Sequence, residues 1–259
     1  MLLQPFKFLL IYLSGFFLLS NILPESTTIQ QTTRQEIDLK NIKTLQAELQ
    51  INAGTFKLTT HDQPAVNTSF NYTRKAWKPE IKFTPQAGKG ILSIKQPEEK
   101  NTNMQKEERN EWEIKMPRSV PTDLKFRMGA GEGSVNLSGA KVNRLEMEAG
   151  AGDFKVNLAN TSVASLKISA GVGALTLNLT GSRTNNLKAD ISGGIGDLTL
   201  VLPRKTGVRV KVSGLGDIES GGLKKQGGYF VNEAYGKTPQ HLDITVSAGL
   251  GAIKIELEK

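Results

Sequence analysis

Apolar side chains occupy every second position in many short segments of this chain. Residues 154–158, for example, read FKVNL, with apolar residues at the first, third and fifth positions. A period of two is typical of a β-strand that has one face in a core and the other in water. Because such segments recur along residues 121–259, the pattern predicts an all-β domain.

A glycine motif separates the two strand-like segments of each unit. It reads glycine, a small or aliphatic residue, glycine, and then Asp, Glu or Ala. The predicted turn glycines of its six copies are Gly129, Gly131, Gly150, Gly152, Gly171, Gly173, Gly194, Gly196, Gly214, Gly216, Gly249 and Gly251. We expect a corner at each copy, because glycine reaches positive φ and lets neighbouring segments approach closely.

The spacing of the motif indicates a stack of similar units. Its second glycines follow one another after 21, 21, 23, 20 and 35 residues. One unit cannot bury its own apolar face, so neighbouring units must share a core. This predicts a two-sheeted β-solenoid in which Val156, Leu177 and Leu200 lie together. We expect the insertion in the last interval, residues 221–239, to form a loop on one side of the stack.

Residues 35–120 are predicted to form an N-terminal β-region with a degenerate repeat. In residues 45–60 the sequence Asn-Ala-Gly stands where later copies carry the glycine pair. Further strands are predicted at residues 66–72, 81–83, 91–94 and 112–116. The charged residues 96–110 are predicted to form an exposed hairpin loop. Trp77 and Trp112 are interpreted as core or capping aromatics, with a binding platform as the alternative.

The first 23 residues are predicted to be a signal peptide or an N-terminal membrane anchor. Residues 6–23 are apolar apart from a few polar positions, with one lysine near the start and no acidic residue. This length lies between that of a signal-peptide core and that of a membrane span, which leaves cleavage open. Residues 24–34 are predicted to be a linker. The rest of the chain is therefore expected to be extracytoplasmic: secreted, periplasmic or anchored in the cell envelope.

Composition narrows the range of possible chemistry. The chain has 259 residues, a net charge of +8 and no cysteine. Disulfides, thiol catalysis and thiolate zinc sites are therefore excluded. The positive charge favours anionic surfaces. Because lysines are spread along the chain beside glutamates, a solvated surface of mixed sign is the simpler interpretation, and no nucleic-acid partner is expected.

No residue set in the sequence predicts catalysis, a cofactor or a metal. His61 and His241 lie in different halves of the chain, and no Gly-x-Ser-x-Gly motif is present. The repeat of about 21 residues does not fit a calcium roll of about nine residues. We therefore expect Asp residues after the glycines to accept backbone N–H groups. A carboxylate pair from distant units stays open as a route to polysaccharide chemistry.

The repeats resemble those of the bacterial toast-rack domain family. The resemblance rests on the glycine motif, on the Pro-x-x-x-Gly-Val step at residues 203–208 and on the closing sequence DITVSAGLGAIKIEL, and it covers residues 35–259. The same ending is similar to the C-terminal domain of LiaF-type cell-wall-stress regulators and to the "putative adhesin" β-repeat family. The resemblance implies a toast-rack-like fold and supplies no catalytic residues.

These observations favour a non-enzymatic cell-envelope protein whose rigid β-repeat surface binds another protein or an anionic envelope polymer. We expect the polar ladder of Lys155, Thr176, Thr199 and Lys254 to suit repetitive contact. The alternatives are an accessory sensor of envelope stress and a polysaccharide-active β-helix enzyme. The sequence leaves the partner and the oligomeric state open, and a membrane would be a partner if the first segment is retained.

Overall fold

The computed structural model describes residues 30–99 and 104–259, so the predicted export segment and most of the predicted linker lie outside the described residues. In these ranges the chain forms 18 β-strands and one short 3-10 helix at Lys75–Trp77. The strands are β1 Gln31–Asp38, β2 Thr44–His61, β3 Ala65–Tyr72, β4 Glu80–Gln86, β5 Lys89–Lys95, β6 Asn110–Pro117, β7 Thr122–Asn136, β8 Val142–Asn157, β9 Ser165–Val172, β10 Leu175–Asn178, β11 Leu187–Ile195, β12 Leu198–Leu202, β13 Gly207–Gly214, β14 Ile218–Gly221, β15 Lys224–Gln226, β16 Tyr229–Val231, β17 His241–Leu250 and β18 Ile253–Leu257.

The strands form two layers, which confirms the predicted all-β solenoid. Layer A contains, in order, β4, β5, the first half of β2, the first halves of β7 and β8, and then β9, β11, β17, β13, β16 and β15. Layer B contains β1, β3, β6, the second halves of β2, β7 and β8, and then β10, β12, β18 and β14. The long strands β2, β7 and β8 run through the corner between the layers, so all 18 strands belong to one hydrogen-bonded sheet.

Eight coils, each with one strand segment in each layer, make up the stack. We number them by position: coil 1 is β5 with β6, coil 2 is β2, coil 3 is β7, coil 4 is β8, coil 5 is β9 with β10, coil 6 is β11 with β12, coil 7 is β17 with β18, and coil 8 is β13 with β14. Neighbouring coils pair in parallel. Each glycine motif therefore lies beside the motif of the next coil.

The interior is a continuous ladder of aliphatic side chains. Leu177 lies between Val156 on one side and Leu200 on the other, as predicted, and it is fully buried. The same core extends from Ile37 in β1 to Ile255 in β18, so it has no break near residue 120. Burial of each aliphatic side chain contributes about 1.5–3 kcal/mol before chain entropy is subtracted.

The last coil along the chain is not the last coil of the stack. Strand β17 lies between β11 and β13, and β18 lies between β12 and β14. The insertion at residues 221–239 connects β14 of coil 8 to β17 of coil 7. The prediction of a plain loop there is wrong, because this insertion contains the β15–β16 hairpin. Strand β16 pairs with the outer edge of β13 and covers that end of layer A.

The degenerate first copy predicted at residues 45–60 is confirmed, since Gly54 of β2 aligns with Gly131 of β7. The expected hairpin loop at residues 96–110 is wrong. Strands β5 and β6 both run parallel to β2, one in each layer, so they form a coil and not a hairpin. Gln96 and Asn110 are both buried, and the Asn110 amide donates to Gln96 Oε1 at 2.9 Å.

The N-terminal end of the stack is closed by aromatic side chains and by β1, β3 and β4. Trp112 packs edge-on against Phe70 with ring centroids 4.9 Å apart, and Trp77 is buried as well. Their burial favours the core interpretation over a binding platform. Strand β1 begins at Gln31, so the predicted linker extends four residues too far. None of the described residues forms a helix long and apolar enough to cross a membrane.

Candidate binding surfaces

One corner of each coil is built on glycine, and Gly152 illustrates why. Its φ is +133°, and a Cβ atom at this position would overlap the carbonyl oxygen of Gly131 in the coil below. L-residues with a side chain rarely adopt this φ, and the stacked backbone leaves no space for one. The predicted turn glycines that share this positive φ are Gly131, Gly152, Gly173, Gly196 and Gly251. The first glycine of each motif lies against the neighbouring coil without that φ, except Gly214, whose φ is +159°.

Acidic residues after the glycines bind the next coil. Asp153 accepts the N–H of Ala174 at 3.0 Å, and Asp197 accepts the N–H of Ala252 at 3.1 Å. The capping role predicted for these two Asp residues is therefore confirmed. The described residues contain no group of three or more His, Cys, Asp or Glu side chains that could hold a metal ion.

The opposite corner of several coils uses asparagine. Each asparagine side chain accepts the backbone N–H two residues later, which closes a tight turn. The three acceptors are Asn136, Asn157 and Asn178, and their donors are Ser138, Ala159 and Thr180 at 3.2, 3.1 and 2.9 Å. The pairing of β8 with β7 and β10 places these asparagines in one row.

The structure does not bring the two histidines together. The His61 ring contacts the carbonyl oxygen of Ala65 at 2.8 Å, at the end of coil 2. His241 begins β17 in coil 7, where its backbone N–H donates to Asn186 at 3.0 Å. Each histidine therefore makes a contact at the end of its own strand.

The outer face of layer A carries charges of alternating sign that neutralise one another. The strand registers place Glu48, Lys125, Glu146, Lys167 and Asp190 in one row. Within it the ammonium of Lys125 lies 2.9 Å from Glu146. Beside this row the Arg127 guanidinium contacts both Glu48 at 3.1 Å and Glu148 at 2.8 Å.

A cavity of about 350 Å³ opens on this face over coils 1–4. Glu146 lines it, and the hydrogen bond from Lys125 lowers the pKa of the Glu146 carboxyl group. A glycosidase needs one carboxylic acid whose pKa is raised so that it can donate a proton. Glu146 therefore does not have the raised pKa that a general acid in such a site requires.

The outer face of layer B carries the predicted ladder. Pairing across β8, β10, β12 and β18 aligns Lys155, Thr176, Thr199 and Lys254, and Ser134 of β7 precedes them. We call these five residues the polar strip. Lys254 contacts Glu256 at 2.6 Å, whereas Lys155 has no ion pair with any other residue in the described part of the chain.

The apex of the glycine corner carries an exposed row of aliphatic side chains that we call the apolar ridge. It consists of Val172, Ile195, Leu250 and Leu215, which are 55%, 56%, 56% and 84% exposed. Val172 aligns with Ile195 and Ile195 with Leu250, while the N–H of Leu215 donates to Gly249 at 3.2 Å. Each is the residue between the two glycines of its motif. Hydrophobic periodicity alone does not show whether this residue is buried or exposed.

The ridge occupies only one half of the corner. At the same position, coils 2, 3 and 4 carry Ala53, Ala130 and Ala151. The large hydrophobic residues exposed in the described part of the chain are Met104, Val172, Ile195, Leu215, Ile218 and Leu250. Four of these six form the ridge, and Ile218 lies in the adjoining β14. Exposed apolar surface is therefore concentrated at coils 5–8.

Comparisons with known proteins agree with this fold. The family described as the N-terminal domain of toast_rack, DUF2154, matches residues 25–165 and 157–201. A crystal structure of a "putative cell adhesion protein" from Clostridium sporogenes is similar at 27% identity and a TM-score of 0.71, covering 89% of this chain and 100% of that one. A "putative adhesin" from Bacteroides fragilis is similar at 12% identity and a TM-score of 0.33, covering 87% and 97%. No curated protein matches the chain. Because the family match covers more than half of its residues, this chain belongs to the toast-rack family.

Proposed function

We propose that this protein is a non-enzymatic cell-envelope protein that binds an anionic envelope polymer through the polar strip of layer B. The observation that carries the proposal is the alignment of Lys155 and Lys254 on one flat face, with two threonine hydroxyls between them. Neighbouring strands are about 4.8 Å apart, so the two ammonium groups lie roughly 14 Å apart along the stack. An extended polymer with repeated negative charges matches such a row.

The unpaired ammonium group of Lys155 supports this assignment. Lys155 is exposed and has no ion pair within the described residues, whereas Lys254 contacts Glu256 at 2.6 Å. A cation without a counter-ion attracts an anionic ligand without first losing an internal partner. The hydroxyls of Thr176 and Thr199 can donate hydrogen bonds to phosphate or carboxylate oxygens.

The comparisons and the sequence support the location. The Clostridium sporogenes structure, with a TM-score of 0.71, bears the description "putative cell adhesion protein". The apolar segment at residues 6–23 favours export, after which the strip would face the envelope. The lowered pKa of Glu146 argues against a role for this carboxyl group as a general acid.

Binding to poly(glycerol phosphate), measured by biolayer interferometry at low and high salt, tests the proposal. We expect the Lys155→Gln/Lys254→Gln variant to bind at least tenfold more weakly, with a smaller salt dependence. The matched control is Lys167→Gln/Lys188→Gln, which removes the same charge from layer A. Equal loss in both variants would indicate general charge attraction, and absence of binding by the unaltered protein would refute the proposal.

A further inference from the structure

The stack ends unevenly at coil 8. In layer A, β16 and β15 continue the sheet two strands beyond β13. In layer B, β14 pairs with β18 on one side and with no further strand of the described residues on the other. Layer A therefore projects beyond layer B, and the open edge of β14 lies at the resulting step.

The backbone of β14 has unpaired hydrogen-bonding groups at this edge. The Ile253 N–H of β18 donates to the Asp217 carbonyl group at 2.8 Å. Alternate residues of a parallel strand face the same neighbour, so Glu219 also faces β18. The backbone groups of Ile218 and Ser220 therefore face the open edge, where each residue offers one N–H and one C=O to an additional strand.

The apolar side chains at the step lack the cover that their row has elsewhere. Ile218 continues the inward-facing row of Leu175, Leu198 and Ile253, all of which are buried. Ile218 itself is 40% exposed, because no coil follows coil 8 in the stack. Phe230 of β16 packs against the core and is only partly buried. A further strand beside β14 would cover both side chains.

The outward-facing side chains of this edge are acidic. Asp217 and Glu219 are exposed, and neither carboxylate forms an ion pair with another residue in the described part of the chain. Glu219 aligns with Lys254, but the Lys254 ammonium contacts Glu256 at 2.6 Å. A strand that carries a basic residue beside Glu219 would therefore gain a cross-strand ion pair without breaking one.

We propose that β14 binds an extended segment of a partner protein, which adds a strand to layer B. Strand β18 shows which sequence fits, because it already pairs with β14. Its register pairs Ile253 with Ile218, Lys254 with Glu219 and Ile255 with Ser220. Inward and outward positions alternate along any strand of the sheet, so the partner segment carries a basic residue between two apolar ones. In this mode of binding, backbone hydrogen bonds supply affinity and alternate side chains supply specificity.

The charge of the edge favours a partner protein over a second copy of this chain. Pairing of β14 with β14 of another copy would place two Glu219 carboxylates in adjacent strands, where like charges repel. The proposal is independent of polymer binding by the polar strip, because its main contacts are backbone groups of β14.

Fluorescence anisotropy of the full chain with a labelled peptide tests the proposal. The peptide is GAIKIELEK, the sequence of residues 251–259. We expect saturable binding, and at least threefold weaker binding of the same peptide with Lys254→Glu. The Glu219→Lys protein, altered at an exposed position, should reverse this preference. No binding by the natural protein at millimolar peptide concentration would overturn the proposal, and so would an unchanged preference in Glu219→Lys.

Substitution of Ser220 tests whether the peptide binds at the open edge. Ser220→Pro removes an N–H that faces this edge and leaves the bonds to β18 in place, which an edge strand tolerates. We expect a similar thermal midpoint and at least tenfold weaker peptide binding, whereas the control Ser220→Ala should bind normally. Unchanged binding by Ser220→Pro would place the peptide elsewhere and overturn the proposal. Self-association of the natural protein that Ser220→Pro abolishes, measured by sedimentation velocity, would overturn it in favour of a second copy.

Discussion

The two corners of each coil close the chain in different ways. At the glycine corner, Gly152 has no side chain, and this lets it lie against the carbonyl group of Gly131. At the opposite corner, Asn157 uses its side chain to accept a backbone N–H. The glycine corner therefore requires a residue without a side chain, and the asparagine corner requires a side-chain hydrogen bond. The difference predicts that damage to the first is more costly than damage to the second.

A polar substitution in the core strand between the two corners should cost more stability than damage to either corner. Leu177 is fully buried between Val156 and Leu200. Leu177→Asp would bury a carboxylate without a partner, and we expect it to unfold the stack. The control Thr176→Asp, on the outer face of the same strand, should fold normally. Circular dichroism and thermal melting compare the two, and a soluble Leu177→Asp protein with an unchanged midpoint would contradict the shared core.

Gly152→Val should damage the glycine corner severely. The substitution combines a φ of +133° with overlap of the Gly131 carbonyl group. We expect a loss of roughly 3–5 kcal/mol in the free energy of unfolding, measured by urea titration. Gly193→Ala is the matched control, because a Cβ at Gly193 would meet no atom within 4 Å. Similar losses in both variants would show that steric overlap with the neighbouring coil is not the reason for glycine at position 152.

Asn157→Ala should damage the asparagine corner only moderately. It removes the acceptor of the Ala159 N–H at 3.1 Å and leaves the stacked strands intact. We expect a loss of about 1 kcal/mol, the usual contribution of one such hydrogen bond. Asn143→Ala, at an exposed asparagine whose side chain makes no hydrogen bond within the described residues, serves as the control. A loss as large as that of Gly152→Val would remove the distinction between the corners.

Arg183→Met should give a small change of the opposite sign. Arg183 lies buried between β10 and β11, and its Nε and Nη1 atoms have no hydrogen-bond partner among the described residues. Burial lowers the pKa of the Arg183 guanidinium from its ordinary value to about 10. The buried charge therefore destabilises the fold at neutral pH, and methionine should raise the free energy of unfolding by about 1 kcal/mol.

The pH dependence of this difference provides an independent check. Above about pH 10 the folded protein releases the Arg183 proton before the unfolded chain does, so the stability of the natural protein rises with pH. The gain in the free energy of unfolding from Arg183→Met should therefore be largest below pH 10 and should shrink above it. Parallel melts of both proteins at pH 7, 9 and 11 measure it. A constant advantage across this range would contradict the burial of a charged guanidinium.

The sequence predicted the coils that carry a glycine motif, since glycine spacing and alternating leucines follow directly from the corner and the core. It did not predict coil 1. Between its two strands the sequence has no glycine motif, and the Asn110 amide donates to Gln96 beside β5. The order of coils 7 and 8 was also missed. Periodicity identifies a coil but does not fix its neighbours, which depend on the β15–β16 hairpin that covers β13.

Candidate surfaces were predictable to different degrees. The polar strip followed from the alternation of inward and outward residues, so the alignment of Lys155 with Thr176 could be anticipated. The apolar ridge could not be recognised in the same way. The middle residue of a glycine motif has no periodic partner, and only the corner geometry shows that Ile195 and Leu250 point into solvent.

Disulfide trapping tests the coil order most directly, because the natural chain has no cysteine. Thr199 pairs with Lys254, and Lys254 pairs with Glu219. Adjacent strands are about 4.8 Å apart, within reach of a disulfide, and strands two positions apart are not. We predict that Thr199→Cys/Lys254→Cys forms an intramolecular disulfide and that Thr199→Cys/Glu219→Cys does not. The reverse result would mean that the coils stack in chain order, and it would contradict this structure.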